Sequence, residues 1–277
     1  MAIPLEDNVS DIIGKAQRGL GISDSRLAER SGVSVEEVRK LRTGDLTGDA
    51  IELVAPVLNL SAPALRKLAA GNWNPESIPP IDGLAMFNTT YGDMTVNAYL
   101  VWDPATRDAV ALDTGADCSA MLKRIEEEQL TVRLILLTHA HPDHVADLAR
   151  LRKATEAPIH ISELEPEKGA QTIPEGKHFK VGTLAIEARL TSGHSPGGMT
   201  YVVTGLARPV AVVGDSLFAG SMGGGNVSYE DALRNNREKI LTLPEETIVC
   251  PGHGPLTTVG KEKHENPFFG EGLKFEV

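Results

Sequence analysis

Cysteine is scarce in this chain. Two residues in 277, Cys118 and Cys250, cannot build the disulfide framework of a small secreted scaffold. Also lacking are an apolar signal-peptide core near the start and any apolar run long enough to span a membrane. A cytoplasmic, reducing setting with no membrane attachment is therefore expected. Positive charge is the third shortage: 27 Lys plus Arg face 38 Asp plus Glu, a formal net charge of -11 that disfavours generic attraction to nucleic acid or anionic lipid. Any anionic ligand would need a local positive site. Hydrophobic residues, at 41%, and charged residues, at 23%, are present in the proportions of a folded protein of one or two domains.

The first 71 residues show no sustained period-2 pattern. Val9, Ile12, Ile13, Ala16 and Leu20 are spaced as one face of a helix. Ser23 is placed to cap a second helix that Gly32 ends, and Ser34 with Glu37 three residues on forms the reciprocal capping pattern that opens a third. Further helices are expected over 49–58 and 61–70. The stretch Ser25 to Leu41 resembles the helix-turn-helix of phage-repressor-like DNA-binding proteins, with 34–41 as the recognition helix. The stretch Gly71–Pro80 is dense in Gly, Pro, Asn and Ser, and residues 72–80 are expected to form a linker. From residue 81 to 277 the pattern changes to short Val-, Ile- and Leu-rich strands, at 98–102, 109–113, 133–137, 184–190, 199–203, 210–213 and 247–250. Helices are expected between them at 118–129, 145–154 and 229–241. The expected fold class is α+β, a strand-rich domain preceded by a small all-α helix-turn-helix-like domain.

Chemistry concentrates where the apolar strand Arg133–Leu137 ends, in Thr138-His139-Ala140-His141-Pro142-Asp143-His144. Alternate residues of an extended segment point the same way, so His139 and His141 can converge on one point. Asp143 and His144 open the following helical stretch and can face a second. Neutral imidazoles with carboxylate suit zinc, iron or manganese rather than calcium.

This spacing does not stand alone. Gly193-His194-Ser195-Pro196-Gly197 follows a strand, Asp215 follows the apolar run Val210–Val213, and Pro251-Gly252-His253-Gly254 follows Thr247–Cys250. With these four motifs in order, residues 80–269 resemble the glyoxalase II-like branch of the metallo-β-lactamase superfamily. The resemblance implies an αβ/βα sandwich of two mixed β-sheets between helices. It also implies one metal site of His139, His141 and His194 and a second of Asp143, His144 and His253, bridged by Asp215. Two divalent metal ions are expected, zinc first, with iron or manganese as alternatives. A hydroxide held between them would be the nucleophile, with Asp143 in reach as its general base. Asp113, in an Asp-x-Gly turn before the metal motif, is expected to support the site from behind.

The same resemblance implies a small-molecule thioester or related ester as substrate. The arginine that compact relatives place after the bridging aspartate is absent from Ala219–Asn226, and with about two dozen residues after His253 a helical C-terminal domain is not expected. Lys261 and Lys263 are the cations then offered for substrate binding. Three other enzyme readings stay open: a mononuclear-iron persulfide dioxygenase using His139, His194 and Asp215, a lactone hydrolase and a β-lactam hydrolase. The acidic domain offers no basic track for an RNA-processing nuclease.

A different class of function is a DNA-binding regulator whose hydrolase-like domain senses a ligand. Residues 1–72 hold nine Lys plus Arg against ten Asp plus Glu, and Glu36 and Glu37 lie on the helix that would enter the groove. Docking, pocket covering or a homodimer through the N-terminal domain is therefore preferred to DNA. His160, His178 and His264 are set aside as core or surface residues, and both cysteines as small apolar side chains.

Overall fold

A computed structural model describes residues 3–46, 49–270 and 273. The N-terminal helices form where the spacing predicts: α1 (Val9–Gly19), α2 (Asp24–Ser31), α3 (Val35–Arg42), α4 (Ala50–Val54) running into a 3-10 turn (Ala55–Leu58), and α5 (Ala62–Ala69). The cap of α3 is reciprocal, as expected. The Glu37 N–H donates to Ser34 Oγ at 3.2 Å, and the Ser34 N–H donates to the Glu37 carboxylate at 2.7 Å. Gly32 ends α2 in the left-handed region at φ 76°. Leu20 departs from the expected face. It lies just past the end of α1 and is 42% exposed, while Val9, Ile12, Ile13 and Ala16 are buried.

Two six-stranded mixed sheets follow. Sheet one runs β1 (Leu84–Tyr91), β2 (Met94–Trp102), β3 (Asp108–Leu112), β4 (Thr131–Leu136), β5 (Ile159–Ser162) and β6 (Gln171–Ile173), antiparallel as far as β3 and parallel beyond it. Sheet two draws on β7 (His178–Val181), β8 (Leu184–Leu190), β9 (Met199–Thr204), β10 (Val210–Gly214), β13 (Ile248–Pro251) and β14 (Thr257–Thr258). Their order is β14-β13-β10-β9-β8-β7. A small hairpin, β11 (Leu217–Phe218) with β12 (Ser221–Met222), stands after β10. The remaining helices are α6 (Ser119–Glu127), α7 (Pro142–Val145), α8 (Leu148–Thr155), α9 (Tyr229–Asn235) with a π turn at Asn236–Ile240, and α10 (Val259–Glu265).

The strands read as nearly continuous apolar runs because both faces of each sheet are covered. Tyr99, Val101, Val210 and Val212 meet between the sheets. The alternate residues Ala98, Leu100 and Trp102 pack outward with Met121 of α6 and Leu148 and Leu151 of α8. On the outer face of sheet two, Val202, Ala211, Val213 and Val249 share one core with Ile12, Ile13, Leu27, Leu41, Val54 and Leu65 of the N-terminal helices. The expected division at 71 and 81 therefore marks a change of secondary structure, helices to Ala69 and strands from Leu84, while the apolar packing runs straight across it. Trp73, inside the expected linker, is 2% exposed and packs on Gly220.

β1 is a strand that apolar periodicity does not reveal. Its residues are only partly buried, and it forms by pairing in register with β2 from Tyr91↔Met94 to Leu84↔Val101 across the two-residue turn Gly92-Asp93.

Candidate metal centre

Every expected metal ligand sits at the end of a strand at one end of the sandwich. The loop after β4 carries His139 and His141, and α7 then turns Asp143 and His144 inward. The β8–β9 loop brings His194, the end of β10 brings Asp215 and the end of β13 brings His253. Candidate ligand atoms gather in two groups, His139, His141, His194 and Asp215 in one and Asp143, His144 and His253 in the other, with the atoms of each group within 4.8 Å of one another. His141 Nδ1 lies 3.0 Å from Nε2 of both His139 and His194. Asp215 spans the groups: Oδ2 is 3.3 Å from His194 Nε2 and 3.4 Å from His253 Nε2, while Oδ1 is 3.3 Å from His144 Nε2. Asp143 Oδ2 lies 3.3 Å from His253 Nε2 and 3.5 Å from His144 Nε2.

The outward ring nitrogens of His139, His144, His194 and His253 are held by the protein, which fixes those ring planes. Asp113 anchors the β4 loop by accepting from the Thr138 N–H and hydroxyl, both at 2.7 Å, and it lies 2.9 Å from His144 Nδ1. The supporting role expected of Asp113 is thus met in the geometry. Its backbone sits at φ 57°, a conformation that costs energy away from glycine and that this hydrogen-bond set holds in place. His139 Nδ1 meets Thr138 Oγ1 at 3.0 Å, His194 Nδ1 meets Gly224 O at 3.1 Å and His253 Nδ1 meets Thr95 O at 2.6 Å. Close approach depends on glycine: a Cβ on Gly252 would stand 2.1 Å from Asp215 Oδ1, and one on Gly223 would stand 1.7 Å from Asp215 O. The Gly220–Ser228 loop is accordingly packed against Asp215 at Gly223.

Opposite charges dominate the centre. Burial disfavours the ionised form of Asp215, yet the imidazoles of His144 and His253 hold its carboxyl well below the usual range. Burial likewise opposes the cations of His144 and His253. Asp215 and Asp113 nevertheless raise His144 to about 10, and Asp215 and Asp143 raise His253 to about 11. Burial, aided by neighbouring imidazoles, pushes His139 far below its ordinary value and His194 below it.

Glu165 was not anticipated. Its carboxylate accepts from the Ala140 N–H at 2.9 Å and the Gly197 N–H at 3.0 Å, bracing the loop of His139 and His141 against the loop of His194. One of three glutamates in the loop Glu163-Leu164-Glu165-Pro166-Glu167 carries no pattern that would single it out. Lys261 and Lys263 are not brought to the cluster: Lys261 pairs with Glu265 and sits 5.3 Å over the Trp73 ring, and Lys263 pairs with Glu245. His160 is buried against Phe179, and His178 and His264 are exposed. On the helix-turn-helix-like pair, Arg39 pairs with Asp24, Lys40 with Glu36 and Arg26 with Glu29.

The residues fit a metal ion. His144 Nε2 and Asp215 Oδ1, 3.3 Å apart, are buried with no other polar partner that satisfies them by hydrogen bonding among the described residues, and the imidazole and carboxylate donor set suits a transition metal.

Residues 91–253 match the family model of the metallo-beta-lactamase superfamily. The chain is 34% identical over 204 residues to the probable metallo-hydrolase YqgX of Bacillus subtilis, covering 64% of this chain and 93% of that one. It is 30% identical over 197 residues to the hydroxyacylglutathione hydrolase GloC of Haemophilus influenzae, covering 62% and 92%. Among solved structures, TTHA1623 in a di-iron-bound form superposes with a TM-score of 0.55 at 30% identity, over 66% of this chain and 100% of the other.

Proposed function

Because the chain belongs to the metallo-beta-lactamase superfamily, a fold of two mixed sheets flanked by helices that this structure shares, we propose that it is a binuclear metallohydrolase cleaving a thioester or related ester. The observation that carries this reading is the convergence of seven ligand side chains into two adjoining groups with Asp215 between them. A mononuclear iron centre would engage only His139, His194 and Asp215. It would leave the second group, each ring already oriented by Asp113 or Thr95, without an occupant. Two divalent cations, zinc before iron or manganese, would lower the pKa of a bound water toward neutrality and polarise a substrate carbonyl.

The protein's own groups do the rest. Asp143 Oδ2, beside His144 and His253 and partly open to solvent, is placed to accept the proton of the attacking water. Asp113, Thr138 and Glu165 hold the β4 loop, so that ligands are not reorganised when substrate arrives. His141 and His194 are the partly exposed members of the first group and mark the side from which a small-molecule substrate enters. The likeness to a hydroxyacylglutathione hydrolase supports a thioester, and lactones and β-lactams are the competing substrates. No helix among the described residues is long and apolar enough to cross a membrane, and the internally paired cations of α2 and α3 disfavour DNA as the partner.

Metal analysis combined with a thioester, lactone and β-lactam panel tests the proposal. Two metals per chain, thioester cleavage and its loss in Asp143→Ala are expected. One iron per chain with oxygen consumption on a persulfide would overturn the reading.

A further inference from the structure

The segment entering α1 crosses the rim of the metal centre. Glu6 N and Pro4 O lie 3.2 and 3.7 Å from where a side chain on Gly254 would begin, one residue past the ligand His253. Asp7 pins this segment by accepting from Ser221 Oγ at 2.6 Å and by pairing with Lys15. The Lys15 ammonium also donates to Met222 O at 2.9 Å and sits 5.0 Å over the Phe218 ring, which stands edge-on to His253 at 5.7 Å. Val9, Ile12 and Ile13 follow at once and are buried in one core with Leu217 and Met222, so the segment cannot lift without opening that core.

Glu6 is half-buried here, and no hydrogen bond or ion pair engages its carboxylate among the described residues. Burial disfavours its charge, and His253, Asp7, Lys15 and Asp215 are the charged groups that act on it. Lys15 is already taken by Asp7. Residues 215–228 contain no Lys or Arg, and Lys261 and Lys263 are paired elsewhere. The rim beside the loop of His253 therefore carries a glutamate whose carboxyl group has no polar partner among the described residues.

We propose that Glu6 is a substrate-contacting residue supplied by the N-terminal helical region, and that it reads a cationic group, an ammonium or amidinium, on a substrate whose ester or thioester lies at the metal centre. The proposal rests on the hydrolase reading and narrows it. The N-terminal region is then part of the binding site, and polyanionic thioesters are disfavoured substrates.

The test uses the full-length, metal-loaded protein and three thiols that differ in charge: thiocholine, its neutral isostere 3,3-dimethylbutanethiol, and 3-mercaptopropionate. Calorimetry on wild type is expected to show thiocholine binding about fivefold tighter than the neutral isostere, the scale of a partly exposed ion pair. That gap should collapse in Glu6→Gln, and in Glu6→Lys the preference should pass to 3-mercaptopropionate. Turnover of acetylthiocholine against its neutral isosteric thioacetate should follow the same order. Equal affinity of the first two thiols in wild type, or a gap that survives Glu6→Gln, overturns the proposal. If the thiol gap tracks Glu6 while no ester or thioester is cleaved, the assignment of Glu6 stands and the hydrolase reading fails.

Discussion

The two sheets contribute to the metal centre in different ways. Sheet one supplies His139, His141, Asp143 and His144 from a single loop and short helix, locked by Asp113 and braced by Glu165. Its outer face is covered by α6 and α8, which arise from connections between its own strands. Sheet two supplies His194, Asp215 and His253 from three separate loops, with backbone carbonyls supporting His194 and His253. Its outer face is covered by helices from the start of the chain together with α9. One half of the centre is encoded locally, and the other is braced by contacts across most of the chain, as Lys15 bound to Met222, 207 positions away, illustrates.

The most severe way to break that comparison is to delete residues 1–71. The outer face of sheet two would then meet water, and the expected result is insoluble or non-cooperatively folding protein by circular dichroism and sedimentation. A soluble remnant that still bound two metals would show the sandwich to be self-sufficient. Next in size, Ile12→Ala should destabilise the protein by about 2–5 kcal/mol in urea unfolding, and Met121→Ala, behind sheet one, by a similar amount. Both residues are 0% exposed. If Ile12→Ala cost far less than Met121→Ala, the N-terminal helices would be only loosely docked.

Asp113→Ala sharpens the contrast at the site itself. It removes the support of His144 and of Thr138 together, so metal affinity should fall roughly 10–100-fold in competition with a chromophoric chelator. An affinity equal to wild type would mean that the β4 loop holds its shape unaided.

The smallest effect concerns Glu262 on α10, which ties the sheet-two side by accepting from the Gly220 N–H at 3.0 Å, Asn266 Nδ2 at 2.7 Å and Thr257 Oγ1 at 2.7 Å. Burial raises its carboxyl from 4.5 to about 7. The folded state therefore holds this proton more tightly than the unfolded chain. The associated stability is complete below pH 4.5 and is lost as pH rises to about 7. Relative to Glu262→Gln, wild type should lose on the order of 1 kcal/mol per pH unit within that window, measured by urea unfolding at constant ionic strength. A pH-independent difference would mean that the carboxyl is ionised throughout.

The seven side chains that converge at the candidate metal centre were marked in the sequence because each loop compresses its chemistry into a few residues at a strand end, as with His139 to His144. The sandwich was legible for the same reason as its strands: cover on both faces makes Ala98–Trp102 and Val210–Val213 read as apolar runs. β1 escaped because its apolar run stops at Phe87 and its second half, Asn88–Tyr91, is largely polar and exposed, although Gly92-Asp93 marks the hairpin turn. The roles of Glu165 and Glu6 escaped because each depends on contacts distant in sequence, Ala140 and Gly197 for one and Gly254 for the other. The ion pairs of Lys261 and Lys263 were hidden for a related reason: charge near a motif says nothing of the glutamates that these lysines meet in the fold.

Both thiols are buried, Cys118 in the layer behind sheet one and Cys250 between the sheets. Burial raises the Cys118 thiol to about 12 and pushes Cys250 up as well, so neither reacts from the native state at neutral pH. The pair constitutes two internal clocks. The alkylation rate of Cys118 times the parting of α6 from its sheet, and that of Cys250 times separation of the sheets, so one mass-spectrometric time course reads the order in which the layers come apart.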